Sequence, residues 1–145
     1  MPISKAEWEI MRVVWTKGET TSTEILNILS QKTEWTSSTV KTLLKRLVDK
    51  GYLNTEKIGK KFVYSALINE ENTINNEVDE LFEKFCQRKH LAILEHLIET
   101  VPMTCDDITK LQDLLNDKQR KTVVEVVCNC TPGQCHCKEN LEVTP

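Results

Sequence analysis

The apolar positions at the start of the chain follow the spacing of amphipathic helices. A first helix is predicted from about Lys5 to Lys17, because Ser4 just before it and Glu7 in its first turn have the form of a capping box. Gly18 ends this helix, and the segment Thr20 to Thr23 offers several N-caps for a short second one. The apolar face of the first helix consists of Trp8, Ile10, Met11, Val14 and Trp15, and that of the second of Ile25, Ile28 and Leu29.

A third helix has the most regular pattern in the chain. It follows Trp35-Thr36-Ser37-Ser38, where a hydroxyl can cap it, and it ends at Gly51. Its apolar residues are spaced i, i+3, i+4, i+7 and i+8, so one stripe faces a core. These residues are Val40, Leu43, Leu44, Leu47 and Val48. The opposite face carries Ser38, Lys41, Thr42, Lys45 and Arg46.

Two short strands are predicted next, at Tyr52 to Ile58 and Phe62 to Leu67, joined by the basic tip Gly59-Lys60-Lys61. Three helices followed by a basic hairpin predict a winged helix-turn-helix, whose third helix enters the major groove of DNA. The alternative is that the basic residues form only a solvated face. The residues predicted to contact DNA are Ser37, Ser38, Thr39, Lys41, Thr42, Lys45, Arg46, Lys60 and Lys61.

The remaining pattern predicts a mainly α fold with three parts: residues 1–68, a winged-helix DNA-binding domain; residues 69–122, a helical dimerisation region; and residues 123–145, a metal-binding tail. Pro102 interrupts the helical region, and Thr104 begins its last helix. Narrow helices with this much apolar surface favour pairing with a second copy, the alternative being packing onto the winged helix. The apolar faces comprise Val78, Leu81, Phe82 and Phe85; Leu91, Leu94, Leu97 and Ile98; and Ile108, Leu111, Leu114 and Leu115.

Charge is divided unevenly along the chain. Residues 1–67 carry eleven Lys or Arg and seven Asp or Glu, a net of +4, whereas residues 68–145 carry eight and fifteen, a net of −7. Only the first part is therefore suited to approach a polyanion. No apolar run approaches the roughly eighteen residues of a membrane helix, and the N-terminus lacks the pattern of a signal peptide, so we expect a cytoplasmic protein. The sequence contains no catalytic set, and an enzyme is not expected.

Candidate metal chemistry lies near the C-terminus, in Cys128, Cys130, Cys135 and Cys137. Two Cys-x-Cys pairs flank Thr131-Pro132-Gly133-Gln134, where proline and glycine occupy the positions that a type II turn requires. The turn would bring four sulfurs together, and thiolates select Cu(I), Zn(II) or iron–sulfur clusters. The one-residue spacing favours a compact copper–thiolate cluster without excluding zinc. The alternatives are a disulfide pair or a reactive tail.

Three other residues have the chemistry to bind a metal but lack the spacing. Cys86 and Cys105 have no cysteine close to them in sequence, and we interpret both as core or surface residues rather than ligands. His136 lies inside the second Cys-x-Cys pair and is a candidate secondary ligand.

The stretch Trp35-Thr36-Ser37-Ser38-Thr39-Val40-Lys41-Thr42-Leu43-Leu44-Lys45-Arg46-Leu47, with Glu7-Trp8 and Val13-Val14-Trp15 before it, resembles the BlaI/MecI/CopY repressors. The Cys-x-Cys-x4-Cys-x-Cys tail is similar to that of the CopY branch. This resemblance implies a dimeric repressor of copper-homeostasis genes that binds a dyad-symmetric operator with Zn(II) in its cysteine site. It also implies release when Cu(I) replaces the zinc, with a copper chaperone as a candidate Cu(I) donor. The alternatives are a copper-buffering or carrier protein without operator binding, and a zinc- or cadmium-responsive repressor.

Overall fold

The computed structural model describes residues 2–141, which fall into two compact units divided between residues 76 and 77. The predicted division at residues 68 and 122 stays a prediction of the sequence, and the end of the predicted tail, residues 142–145, lies outside the described residues. No helix among residues 2–141 is long and apolar enough to span a membrane.

The first unit contains the three predicted helices, α1 (Lys5–Lys17), α2 (Ser22–Leu29) and α3 (Ser37–Asp49). Each begins at a hydroxyl side chain that accepts a hydrogen bond from a backbone N–H in the first turn: Ser4 for α1, Thr21 for α2 and Thr36 for α3. The predicted bounds of α1 are confirmed, and Gly18 follows it with φ +81°.

A three-stranded antiparallel sheet completes this unit, with strands β1 (Glu19–Thr21), β2 (Leu53–Ile58) and β3 (Lys61–Ala66) in the order β1-β3-β2. Ile58 pairs with Lys61, so the hairpin turn has two residues and Lys61 belongs to the strand rather than to the tip. Gly59 has φ +66°, as the first position of a type II′ turn requires. The sequence did not predict β1, because three residues give no alternating pattern.

The core of the first unit lies between the three helices and the sheet. The apolar stripe predicted for α3 is confirmed, since Val40, Leu43, Leu44 and Leu47 are buried. One charged residue, Glu7, is buried among these side chains and is only 2% exposed. The Lys50 ammonium lies 2.8 and 2.9 Å from its two carboxylate oxygens. The core consists of Ile10, Met11, Val13, Val14, Ile25, Leu29, Val40, Leu43, Leu44, Leu47 and Leu53.

The helices after the sheet are α4 (Glu70–Glu83), α5 (His90–Thr100), α6 (Cys105–Lys118) and the short α7 (Lys138–Leu141). Short 3-10 turns cover Gln87–Lys89 and Gln119–Lys121. Thr104 and Asp107 form a capping box at the start of α6, so the predicted start of this helix is confirmed. No residue of α4, α5 or α6 is buried, and most of their apolar side chains are exposed; Leu91, for example, is 67% exposed.

Candidate DNA-binding surface and metal site

The solvent face of α3 presents hydroxyl and basic side chains in one shallow depression, lined by Ser37, Ser38, Lys41, Thr42 and Lys45. This is the face that the helical spacing predicts to point away from the core. Thr39 differs from these residues because it is half-buried and its backbone N–H donates to the Thr36 hydroxyl oxygen. Thr39 therefore stabilises the start of the helix as well as lying beside its exposed face.

A second depression lies between α3 and the hairpin. Lys41 lines it together with Lys60 and Lys61, so the helix and the hairpin carry positive charge on one continuous surface. Thr21, Ser22 and Thr23 also line it, at the start of α2. From the sequence, these hydroxyl residues were predicted only to cap the second helix. Because a helix N-terminus favours an anion, their position makes them further candidates for phosphate contact.

The basic side chains on this surface form no ion pair with any carboxylate of residues 2–141. Within residues 2–141, ion pairs form at Arg12, Lys17, Lys32, Lys50 and Arg88. None forms at the five basic residues predicted to contact DNA, so their charges remain available for phosphate groups. These five are Lys41, Lys45, Arg46, Lys60 and Lys61.

The predicted turn in the tail is confirmed. The Gln134 backbone N–H donates to the Thr131 carbonyl oxygen over 3.0 Å, and Gly133 has φ +94° at the third position. The Gln134 side chain also closes the loop, because its Oε1 accepts from the Thr131 backbone N–H at 2.9 Å. The two Cys-x-Cys pairs consequently lie on opposite arms of a tight turn.

Each Cys-x-Cys pair has the same local geometry. In the first, the Cys130 backbone N–H donates to the Cys128 Sγ, and in the second the Cys137 N–H donates to the Cys135 Sγ, both at 3.4 Å. Asn140 joins the two arms, because its buried side-chain amide donates to the Sγ of Cys128 at 3.3 Å and of Cys135 at 3.0 Å. These hydrogen bonds hold the first sulfur of each pair close to the other.

Four sulfurs converge within the second unit, and one of them comes from outside the tail. The Sγ atoms of Cys86, Cys128, Cys135 and Cys137 all lie within 4.8 Å of one another. The shortest separations are 3.5 Å between Cys128 and Cys135, 3.6 Å between Cys86 and Cys137, and 3.7 Å between Cys86 and Cys128. Cys130 lies outside this close group, although it belongs to the predicted ligand set.

Cys86 is buried, as a core residue would be, but its sulfur lies against the tail sulfurs, which the sequence did not indicate. No cysteine lies near it in sequence, so spacing rules could not identify it. The other two uncertain candidates stay apart from the cluster: Cys105 and His136 are exposed. The burial of one cysteine in an otherwise exposed helical region is visible only in three dimensions.

The connection between α4 and α5, which contains Cys86, forms hydrogen bonds with the tail on both sides of Cys128. The Gln87 backbone N–H donates to the Asn129 Oδ1 at 2.7 Å, and the Arg88 Nε donates to the Val126 carbonyl oxygen at 2.8 Å. Arg88 also forms ion pairs with Glu125 and Glu139. These contacts fix the tail relative to Cys86.

The thiols of the cluster differ in acidity. Hydrogen bonds from the Asn140 amide and the Cys137 backbone N–H lower the pKa of Cys135 to about 6. Burial and the neighbouring sulfurs raise the pKa of Cys130 to about 12. Cys135 is therefore the thiolate available to begin metal binding near neutral pH.

The donor set fits a thiolate-bound metal. A zinc ion bound to four sulfurs at about 2.3 Å in a tetrahedron sets the sulfurs about 3.8 Å apart. Three of the six separations are 3.5 to 3.7 Å, close to that edge, and all six are within 4.8 Å. These three distances are far longer than the bond of about 2.05 Å in a disulfide. The same soft donors also suit Cu(I).

Comparison with known proteins gives the family. The model of the penicillinase repressor family matches residues 3–117, which end before the tail cysteines. The penicillinase repressor of Bacillus licheniformis is 31% identical over 120 residues, covering 82% of this chain and 94% of that protein. An uncharacterised 16.5 kDa protein of Latilactobacillus sakei is 39% identical over 137 residues, covering 94% of each chain.

Among solved structures, the DNA-binding domain of the repressor BlaI is 40% identical, covering 48% of this chain and 85% of that chain with a TM-score of 0.45. A CopR repressor structure is 49% identical, covering 48% of this chain and 100% of that chain with a TM-score of 0.41. The family match covers most of the chain, including the whole winged helix. The chain therefore belongs to the penicillinase repressor family of DNA-binding transcriptional repressors.

Proposed function

We propose that this protein is a copper-responsive repressor in the cytoplasm, which binds a dyad-symmetric operator of copper-homeostasis genes in its zinc form and leaves it when Cu(I) displaces the zinc. The observation that carries the proposal is the convergence of four cysteine sulfurs, three of them in a tail that lies beyond the family match. A repressor needs a signal, and a soft-donor cluster is a chemically selective receptor for a thiophilic metal ion.

The predicted ligands are Cys128, Cys130, Cys135 and Cys137. The arms of the turn place the two pairs face to face, and Asn140 donates to one sulfur of each. Such hydrogen bonds orient the ligands before the metal arrives. The short Cys-x-Cys spacing favours bridging sulfurs, which suit a compact Cu(I) cluster and are unusual for structural zinc.

The operator-bound form is proposed to be a homodimer joined through α4, α5 and α6. Their apolar side chains are exposed on all three helices, and a monomer gains nothing from leaving so much apolar surface in water. A second copy of the chain is the partner expected to cover these apolar faces, because a dyad-symmetric operator requires two recognition helices. The basic surface formed by α3 and the hairpin would then meet DNA twice.

Charge alone does not operate the switch if the same four thiolates hold one Zn(II) or two Cu(I). Four thiolates with one Zn(II) carry a charge of −2, and four thiolates with two Cu(I) carry the same charge, so repulsion from DNA would not change. The geometry must differ instead, because zinc prefers a tetrahedron and Cu(I) accepts fewer ligands with bridging sulfurs. A coupling of about 1 to 3 kcal/mol between metal and operator would already change DNA affinity roughly 5- to 150-fold.

The proposal is tested with a variant carrying Cys135→Ser and Cys137→Ser. The variant should bind operator but fail to release it on anaerobic addition of Cu(I), because one arm of the turn has lost both sulfurs. Normal release by copper would show that the tail is not the sensor. Release by Zn(II) or Cd(II) in the wild type, with copper inactive, would favour a zinc- or cadmium-responsive repressor, and absence of operator binding would favour a copper-buffering or carrier protein.

A further inference from the structure

Cys86 lies in the connection between α4 and α5, 42 residues before Cys128 in the chain. We propose that Cys86 is a zinc ligand, which completes a four-thiolate site with Cys128, Cys135 and Cys137, and that Cys130 is a reserve thiolate recruited only by the copper cluster. The inference rests on the proposed metal-sensing function and adds a ligand from the helical region to it.

The sulfur of Cys86 has the surroundings of a metal ligand. Cys86 is 7% exposed, and its Sγ lies 3.7 Å from the Cys128 Sγ and 3.6 Å from the Cys137 Sγ. A buried cysteine that merely fills a core has carbon neighbours. This sulfur instead contacts two other sulfurs, at separations near the edge of a zinc–thiolate tetrahedron, which is about 3.8 Å.

The backbone around Cys86 fixes its position relative to the tail. The two residues that follow it, Gln87 and Arg88, hold Asn129 and Val126, which lie on either side of Cys128. These contacts place Cys128 next to Cys86 and oppose a shift of the tail relative to the connection between α4 and α5. A site fixed by its surroundings in this way is the mark of a preorganised ligand set.

Cys130 has a different position. Its backbone N–H donates to the Cys128 Sγ, and its own sulfur neighbours those of Cys86, Cys128 and Cys135, but it does not lie within 4.8 Å of all four sulfurs of the close group. Four sulfurs complete a tetrahedral zinc site, whereas a Cu(I) cluster with bridging sulfurs accepts a larger set. A fifth thiolate beside the zinc site would let copper enter before zinc leaves. It would also make the copper form one charge more negative than the count for four thiolates gives.

The ligand assignment gives opposite expectations for two single variants of the full chain, Cys86→Ser and Cys130→Ser. Cys105→Ser is the matched control, because Cys105 is the other cysteine outside the tail and is exposed. Zinc affinity is measured anaerobically by competition with a chromophoric chelator. Co(II) serves as a second probe, because its sulfur-to-metal charge-transfer absorption scales with the number of bound thiolates.

We expect Cys86→Ser to weaken zinc binding at least about ten-fold and to reduce the Co(II) charge-transfer absorption by about a quarter, since three thiolates remain of four. Cys130→Ser and Cys105→Ser should keep the wild-type affinity and absorption. The reverse result, with Cys130→Ser losing a thiolate and Cys86→Ser behaving as wild type, would overturn the assignment.

The Cys130→Ser variant keeps the test decisive if Cys86→Ser does not fold, as judged by circular dichroism. Its Co(II) absorption then tests the assignment alone, because this variant removes a sulfur outside the close group. Wild-type absorption supports the assignment, and a loss of one thiolate overturns it. If the wild type itself binds Co(II) and Zn(II) without thiolates, the proposed metal-sensing function fails together with this inference. Thiolate binding in the wild type with no effect of Cys86→Ser would remove only the role of Cys86.

Discussion

Arg88 and Glu139 form a two-point ion pair across 51 residues of sequence, with Nη1 2.8 Å from Oε2 and Nη2 2.6 Å from Oε1. This pair joins the end of the tail to the connection that carries Cys86. The contact with the Arg88 guanidinium holds the pKa of the Glu139 carboxyl below its usual range. A planar guanidinium suits this geometry better than an ammonium would, because its fork matches the two carboxylate oxygens.

The first prediction concerns Arg88. Arg88→Gln should loosen the tail, because it removes the contacts with Glu139, Glu125 and the Val126 carbonyl together. Hydrogen exchange followed by mass spectrometry should show faster exchange in residues 125–139 and no change in α1 to α3. Lys89→Gln is the control, since Lys89 is exposed and forms no ion pair among the described residues. Equal exchange in both variants would show that Arg88 does not hold the tail.

The second prediction concerns Asn140. Replacing it with alanine removes the donors to Cys128 and Cys135, so zinc affinity should fall about ten-fold, as expected for a group that orients metal ligands. Chelator competition measures the change. His136→Ala should leave the affinity unaltered because its side chain is exposed, and a comparable loss in that variant would identify His136 as a ligand.

The third prediction concerns Lys41, which lines both depressions on the proposed DNA-binding surface. Lys41→Gln should weaken operator binding and lower the slope of log affinity against log salt by about 0.9 for each phosphate group that the side chain no longer neutralises. Lys5→Gln, on an exposed part of α1, should change neither quantity. An unchanged slope for Lys41→Gln would place this face away from the phosphate backbone.

The fourth prediction concerns the buried ion pair between Glu7 and Lys50. Burial raises the pKa of the Glu7 carboxyl, but its hydrogen bonds with Lys50 and Ser4 outweigh that effect and hold the pKa below its usual value. The pair therefore stabilises the fold above the pKa of the unfolded state, and this stability is lost as the pH falls through the lower, folded-state pKa.

Lys50→Met should reduce the free energy of unfolding by about 3 kcal/mol at neutral pH, because a buried carboxylate loses its partner. The difference from wild type should narrow as the pH falls through the lowered pKa of Glu7 in the wild type, below which the carboxyl is protonated in both proteins. Denaturant unfolding at several pH values measures this. The double variant with Glu7→Met should be less destabilised at neutral pH, and a pH-independent difference would rule out the ion pair as the cause.

The elements that the sequence predicted well are those with long periodic patterns or clear caps. Helix α1 begins after Ser4 and ends before Gly18, and the stripe from Val40 to Leu47 is buried, because local chemistry and packing agree there. The type II turn at Pro132 and Gly133 follows from backbone preferences alone. Strand β1 was missed, because Thr20 is held by its pairing with Tyr64, more than forty residues away.

In the metal site, too, the sequence identified the residues that are close together in the chain and missed the one that is distant. Spacing indicated the tail cysteines, but it carried no information about Cys86, which only the fold brings to them. The contribution of Thr21 to Thr23 to the basic surface was missed for a similar reason, since their neighbours Lys60 and Lys61 come from a distant hairpin. Contacts between residues far apart in sequence are set by tertiary structure rather than by pattern.

Copper-dependent release from DNA is tested most directly by the fluorescence anisotropy of a labelled dyad-symmetric operator with the zinc-loaded protein, titrated anaerobically with Cu(I) and, separately, with additional Zn(II). We predict tight binding that Cu(I) reverses and further Zn(II) leaves intact. Operator binding that persists at saturating Cu(I) would contradict the copper-responsive repressor.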